Sequence, residues 1–188
     1  CAKASSSTSI SFLVIAVSRP VYPNSSVSIH GSVMSIRRVA QAAPDTAVAE
    51  FDGTRYRNAE GNPTFKVENG VVDWPTFSGY RRYHAECHVC HGPDGEGSTY
   101  APALKNSAIK MDYYDFIGVI ASGRQKVGTS ENQVMPAFAT NPNVMCYADD
   151  IYTYLLARGT EAIPRGRPAK REEKSEGYAE AEKACMEQ

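Results

Sequence analysis

Two cysteines and two histidines crowd into residues 87–91, which read C-H-V-C-H, in a chain of 188 residues that holds only five cysteines and four histidines. Thiolate and imidazole are the side chains that bind zinc, exchange disulfides and anchor cofactors, so three chemistries compete for this cluster. A structural zinc site needs four ligands, and no second C-x-x-C stands elsewhere in the chain to complete one. A thioredoxin-like dithiol sits where a strand leads into a helix, whereas here helical spacing leads into the breaker-rich run G-P-D-G-E-G.

The third chemistry accounts for Cys87, Cys90 and His91 together. At the chain's own composition C-x-x-C-H is expected by chance only about 0.003 times, and it is the pattern of c-type haem attachment. Two thiols add to the two vinyl groups of a haem, the intervening residues set their separation, and the adjacent His91 reaches the iron. His84 and His88 read as ordinary solvent or loop histidines. An electron-transfer haem takes a second axial ligand, and Met135 in V-M-P-A-F is the candidate. It sits in a Gly/Ser/Asn-rich loop rather than on a helix face, with Pro136 stiffening the backbone after it. Met111 reads as a helical core position, Met145 lies beside Cys146 near a helix start, and Met34 and Met186 fall in terminal segments.

The elements that must position these residues follow from periodicity. Phe77, Tyr80, Tyr83 and Cys87 are spaced as one apolar helix face, and that helix delivers the cysteine cluster. Met111, Tyr114, Ile117 and Ile120 predict a second helix stopped by Gly123. Ile151, Tyr154, Leu155 and Arg158 predict a third, closed by Gly159. Ahead of them, Asn69-Gly70 between two β-prone runs is a strong hairpin signal. Beyond residue 159 a Pro/Gly-broken connector leads to a charged helix.

Composition narrows the function classes. With 20 basic and 21 acidic residues the chain has no overall basic excess, which disfavours nucleic acid or a polybasic membrane anchor. Residues 47–157 carry 9 basic and 13 acidic side chains, net −4, and the tail is dipolar, basic over 158–171 and acidic over 172–188. The longest apolar run, residues 10–17, is too short to span a bilayer, which takes about 20 residues. Ala40-Gln41-Ala42 resembles a signal-peptidase site, but it lies far from that run, so residues 1–46 are either signal-like or of no assigned role. Cys146 and Cys185 are either a disulfide, favouring an oxidising compartment, or two unrelated thiols. The expected organisation is 1–46 signal-like or unassigned, 47–75 hairpin extension, 76–159 haem domain and 160–188 C-terminal extension.

Residues 79–156 resemble a class I cytochrome c: G-Y-R-R-Y-H-A-E-C-H-V-C-H-G is similar to the first helix and attachment site, A-P-A-L to the loop after it, M-P-A-F to the axial-methionine loop and I-Y-T-Y-L-L to the C-terminal helix. The resemblance implies a mainly α fold of three to five helices around one covalently bound haem c. It implies that Gly79 and Tyr83 let the first helix cross the last against Tyr154 and Leu155. It also implies that the Pro102 carbonyl accepts a hydrogen bond from the second ring nitrogen of His91. A narrower resemblance, over residues 61–95 together with Cys146 and Cys185, is to the four-cysteine methanol-metabolism-related cytochromes. That group implies a periplasmic monomer, without a membrane span, that accepts electrons from a quinoprotein (PQQ) methanol or alcohol dehydrogenase and passes them to a downstream cytochrome or oxidase. His91 and Met135 would be the axial ligands, Cys87 and Cys90 the tethers, and no residue catalytic. The tail would either dock on the partner or wrap the domain, and wrapping is the favoured expectation. The rival classes are a peroxidase-like haem enzyme and a gas- or redox-sensing module. The first needs a distal acid-base residue, which the Met135 loop does not offer, and the second needs an output domain.

Overall fold

The hairpin forms around a turn that only certain residues tolerate. Asn69 and Gly70 both take positive φ, 51° and 76°, the backbone of a type I′ turn that matches strand twist. It joins β3 (Val67–Glu68) to β4 (Val71–Val72), with Val67 opposite Val72. A computed structural model describes residues 43–127 and 132–188. The reading of residues 1–42 as signal-like lies outside the described residues. An earlier antiparallel pair, β1 (Glu50–Phe51) with β2 (Tyr56–Arg57), precedes the hairpin. It is held by the Asp52 carboxylate, which accepts from the Thr54 and Arg55 amides and the Arg57 guanidinium.

Seven α-helices follow among the described residues: the last is the helix expected in the C-terminal extension, and the other six exceed the three to five expected around the haem. The excess comes from short pieces: the attachment turn α2 (His88–His91), α3 (Leu104–Ala108) and α5 (Pro142–Met145). The long ones are α1 (Trp74–Glu86), α4 (Tyr113–Ser122), α6 (Ala148–Gly159) and α7 (Glu176–Met186). The start of α1 is set by Asp73. Its carboxylate accepts from the Thr76 amide at 2.7 Å and the Thr76 hydroxyl at 2.9 Å, while Pro75 occupies the first turn, where no amide partner is lost.

The core is α6 and what crosses it. Ten of its twelve residues are buried, the all-round burial of a central helix rather than a one-sided stripe. α1 crosses it at Gly79, where a Cβ would come within 1.8 Å of the Asp150 carbonyl oxygen. Tyr83 and Tyr154 meet across the same contact, ring centroids 5.6 Å apart. At the other end Gly159 lets α3 approach, since a Cβ there would meet the Lys105 carbonyl at 2.4 Å.

Two expectations are corrected. In α4 the inward residues are Phe116 and Ile120, with Tyr113 and Phe116 packed on Tyr152, whereas Tyr114 is 71% exposed. Its i+3 spacing from Met111 is deceptive, because Met111 precedes the helix start set by the Asp112 cap. The segment expected to be loop before Met135 is instead a second hairpin: β5 (Arg124–Val127) pairs antiparallel with β6 (Asn132–Met135), Met135 opposite Arg124.

The tail wraps the domain. β7 (Lys170–Arg171) adds to β4 in parallel, Val71 opposite Lys170. The Arg171 guanidinium stands 4.6 Å over the Phe77 ring. Helix α7 is capped by Ser175 and buries Tyr178, whose hydroxyl donates to the Asp150 carboxylate and meets the Ser78 hydroxyl at 3.0 Å. Arg55 completes this buried node with bonds to Asp149 at 3.0 Å and Asp150 at 3.1 Å. A disulfide joins Cys146 to Cys185 across 39 residues. No helix among the described residues is long and apolar enough to cross a membrane.

Candidate functional site

Helix α1 ends at Glu86 with Cys87 as its cap, and the chain turns at once into α2, with the Cys87 carbonyl accepting from Cys90 N at 3.3 Å and His91 N at 3.1 Å. The two cysteines and His91 therefore share one tight turn. Gly92 takes φ 72° and cannot be replaced, because a Cβ would lie 2.1 Å from the Gly97 carbonyl. The loop closes on itself where Gly97 N donates to His91 O at 2.8 Å. The buried Tyr83 hydroxyl donates to the Gly92 carbonyl at 2.6 Å. Ser98 fastens the outer side, its hydroxyl donating to the Cys90 carbonyl and accepting from Tyr100 N at 3.0 Å.

His91 is 7% exposed. Its Nδ1 lies 2.9 Å from the Pro102 carbonyl oxygen, and a carbonyl only accepts, so Nδ1 carries the proton. Burial lowers the imidazole from its ordinary value, the Pro102 bond pulling the other way, so the ring stays neutral with its Nε2 lone pair available to a metal. Cys87 is a free thiol packed against the core. Burial and then the Glu86 carboxylate push it up to about 12, which keeps the unligated thiol protonated at neutral pH.

Met135, the sequence candidate for the second ligand, is half-buried and packs on the same apolar cluster as Cys87. It is positioned by the end of α4: Gly123, φ 72°, lies so close to Met135 that a Cβ would meet its carbonyl at 2.5 Å. Leu104, Ile109, Met111, Ile117 and Phe138 are likewise only partly buried at the margin of that cluster. Such a half-covered apolar margin, with a neutral imidazole and a thiol on one turn, fits a planar apolar cofactor bound through iron and sulfur. Of the other methionines, Met111 and Met145 are half-buried against the core, Met186 is exposed, and Met34 lies outside the described residues.

One histidine departs from expectation. His84 is not an idle loop residue: Nδ1 donates to the Tyr80 carbonyl at 2.8 Å, Nε2 accepts from Asp94 N at 3.4 Å, and the ring packs on Tyr80, Tyr83 and Tyr154. Asp94 itself, to which no sequence motif draws attention, is buried in the attachment loop. The only hint is the turn-prone P-D-G around it, since its partners lie 10 to 72 residues away.

A mainly helical fold in which α1 crosses the central helix α6 and ends in a C-x-x-C-H turn, with Pro102 holding the histidine, defines a haem-binding electron-transfer architecture. No protein-family model matches the chain. It is 62% identical over 143 residues to cytochrome c-553I of Paracoccus denitrificans, covering 76% of this chain and 63% of that protein's length. It is 35% identical over 96 residues to cytochrome c-555 of Methylococcus capsulatus, half of this chain and 72% of the relative. The crystal structure of the c-type cytochrome XoxG from Methylobacterium extorquens AM1 superposes with a TM-score of 0.69 at 54% identity, covering 74% of this chain and 86% of that one. The chain belongs to the c-type cytochromes, and membership implies covalently bound haem c.

Proposed function

We propose that the protein is a periplasmic, monomeric, single-haem electron carrier that takes electrons from a quinoprotein (PQQ) methanol or alcohol dehydrogenase and hands them to a downstream cytochrome or oxidase. The observation that carries the reading is the His91 Nδ1 to Pro102 bond at 2.9 Å on a turn that also presents Cys87 and Cys90. Cys87 and Cys90 would tether the haem, and His91 Nε2 and Met135 Sδ would ligate its iron. When bound, the haem supplies reversible one-electron chemistry at iron, and thioether ligation favours the ferrous state.

The chain's own residues do the rest. Pro102 holds the imidazole in one tautomer, Tyr83 braces the Gly92 carbonyl, and the apolar margin from Leu104 to Phe138 would shield the iron from water. Val89, between the two cysteines, is 73% exposed, and Tyr100, on the loop fastened to Cys90, is 53% exposed. They offer a small apolar contact of the kind that transient redox encounters use, while the net −4 of residues 47–157 steers approach. The resemblance to methanol-metabolism-related cytochromes and the 54% identity to XoxG support the choice of donor.

Optical spectra of the haem-loaded protein test the ligands. A far-red sulfur-to-iron charge-transfer band is expected in the oxidised wild type and is lost in Met135→Ala; its survival in that variant would sink the His/Met assignment. The donor is tested separately by mixing with reduced quinoprotein alcohol dehydrogenase. Reduction no faster than that of an unrelated cytochrome overturns the partner.

A further inference from the structure

We infer that Asp94 is a positioning residue of the iron site, through which the C-terminal connector at Arg165 and Gly166 holds the loop that carries His91; the inference rests on the haem reading above. Three parts of the chain converge on this one residue. Tyr154 of α6 donates to Oδ1 at 3.3 Å, Gly166 N donates to the same oxygen at 3.0 Å, and Arg165 Nε donates to Oδ2 at 3.3 Å. The Asp94 amide in turn donates to His84 of α1 at 3.4 Å. Asp94 is 6% exposed and sits at φ 57°, a conformation that strains a non-glycine residue and persists only where its surroundings dictate it.

A second carboxylate of the loop repeats the connection. Glu96 pairs with Arg158 at 2.9 Å and Lys105 at 2.7 Å, and the other arm of Arg158 donates to the Ile163 carbonyl at 2.6 Å, at the root of the same connector. Because Gly97 N closes onto His91 O at 2.8 Å, the segment fixed by Asp94 and Glu96 is the one that sets the backbone from which the His91 ring projects. The extension is thus built into the ligand loop rather than laid over it. Asp94 also acts through its charge. Burial alone would raise this carboxyl, but the Gly166 amide and Arg165 outweigh it and hold it below the usual carboxylate range, so it is an anion at neutral pH. A fixed anion three residues from the iron ligand favours the ferric state, which carries the extra positive charge.

The test is the midpoint potential of haem-loaded protein at low ionic strength. Asp94→Asn keeps the shape and removes the charge, and its potential is expected to rise. Arg165→Gln, on a side chain that is 64% exposed, is expected to lower it, and to do so less in the Asp94→Asn background, since the two act as one unit. Potentials unchanged in both single variants, or strictly additive shifts, would overturn the inference even if unfolding temperatures fall. If Asp94→Asn does not fold, an unmoved potential in Arg165→Gln decides against it alone. A wild-type protein that attaches no haem, seen as a missing ferrous α-band, is a different result: it removes the haem reading itself and this inference with it.

Discussion

Gly79 and Asp150 touch backbone to backbone, with only 1.8 Å between the Asp150 carbonyl oxygen and the place a Cβ on Gly79 would occupy. The two helices cross there without a side chain between them. In an exposed helix Gly→Ala stabilises by about 1 kcal/mol. Here Gly79→Ala is expected to reverse that sign and to destabilise by about 1–3 kcal/mol, the cost of overpacking a filled contact. Denaturant melts of the haem-loaded pair measure it, and a variant as stable as wild type would show that the crossing gives way.

Tyr83→Phe probes the brace behind the ligand loop. The hydroxyl is fully buried with its bond to Gly92 O at 2.6 Å. Its removal leaves a buried carbonyl short of a donor, costing about 1–3 kcal/mol. Thermal unfolding should show the loss while the ring packing against Tyr154 is kept.

The Cys146–Cys185 disulfide closes a loop across 39 residues. The chain-entropy account gives about 4 kcal/mol for a loop of this length. Cys146→Ser is expected to lower stability by up to that amount with α7 released first, which hydrogen exchange at residues 176–186 resolves. Unchanged exchange there would show that Tyr178 and β7 hold the tail unaided.

Acid should release the Asp94 connection. Its folded-state pKa lies below the ordinary 3.8, so the unfolded chain binds the proton more readily and the group stabilises the fold above that value. The advantage is present at neutral pH and is lost as pH falls below about 4 through the folded value. The difference in melting temperature between wild type and Asp94→Asn should therefore be constant from neutrality to mild acid and shrink below it. A difference that grows on acidification contradicts the sign.

Much of the helical frame is legible in the sequence because it is local. The Asn69-Gly70 turn and the spacing of Phe77, Tyr83 and Cys87 speak through neighbours in the chain, and the helix expected around Ile151 and Leu155 stands at Ala148–Gly159. The face of α4 misleads because Met111 mimics the period from outside the helix. The β5–β6 hairpin escapes a reading by periodicity because its pairing depends on strand register, not on apolar alternation. β7 and the Asp94 cluster are illegible for a further reason: their partners stand about a hundred and about seventy residues away. Of the candidate site, the C-x-x-C-H turn and Pro102 are written in short motifs, whereas the groups that steady them are not.

The parallel pairing of β4 with β7 also sets an order of events. Val71 is made about a hundred residues before Lys170, so during synthesis the outer edge of the hairpin and the rings of Trp74 and Phe77 wait uncovered for a strand that does not yet exist. An open strand edge beside bare aromatic rings invites pairing with other chains. Residues 160–188 therefore serve as a lid on an aggregation hazard, and a chain stopped near residue 160 should be lost to association before it is lost to unfolding.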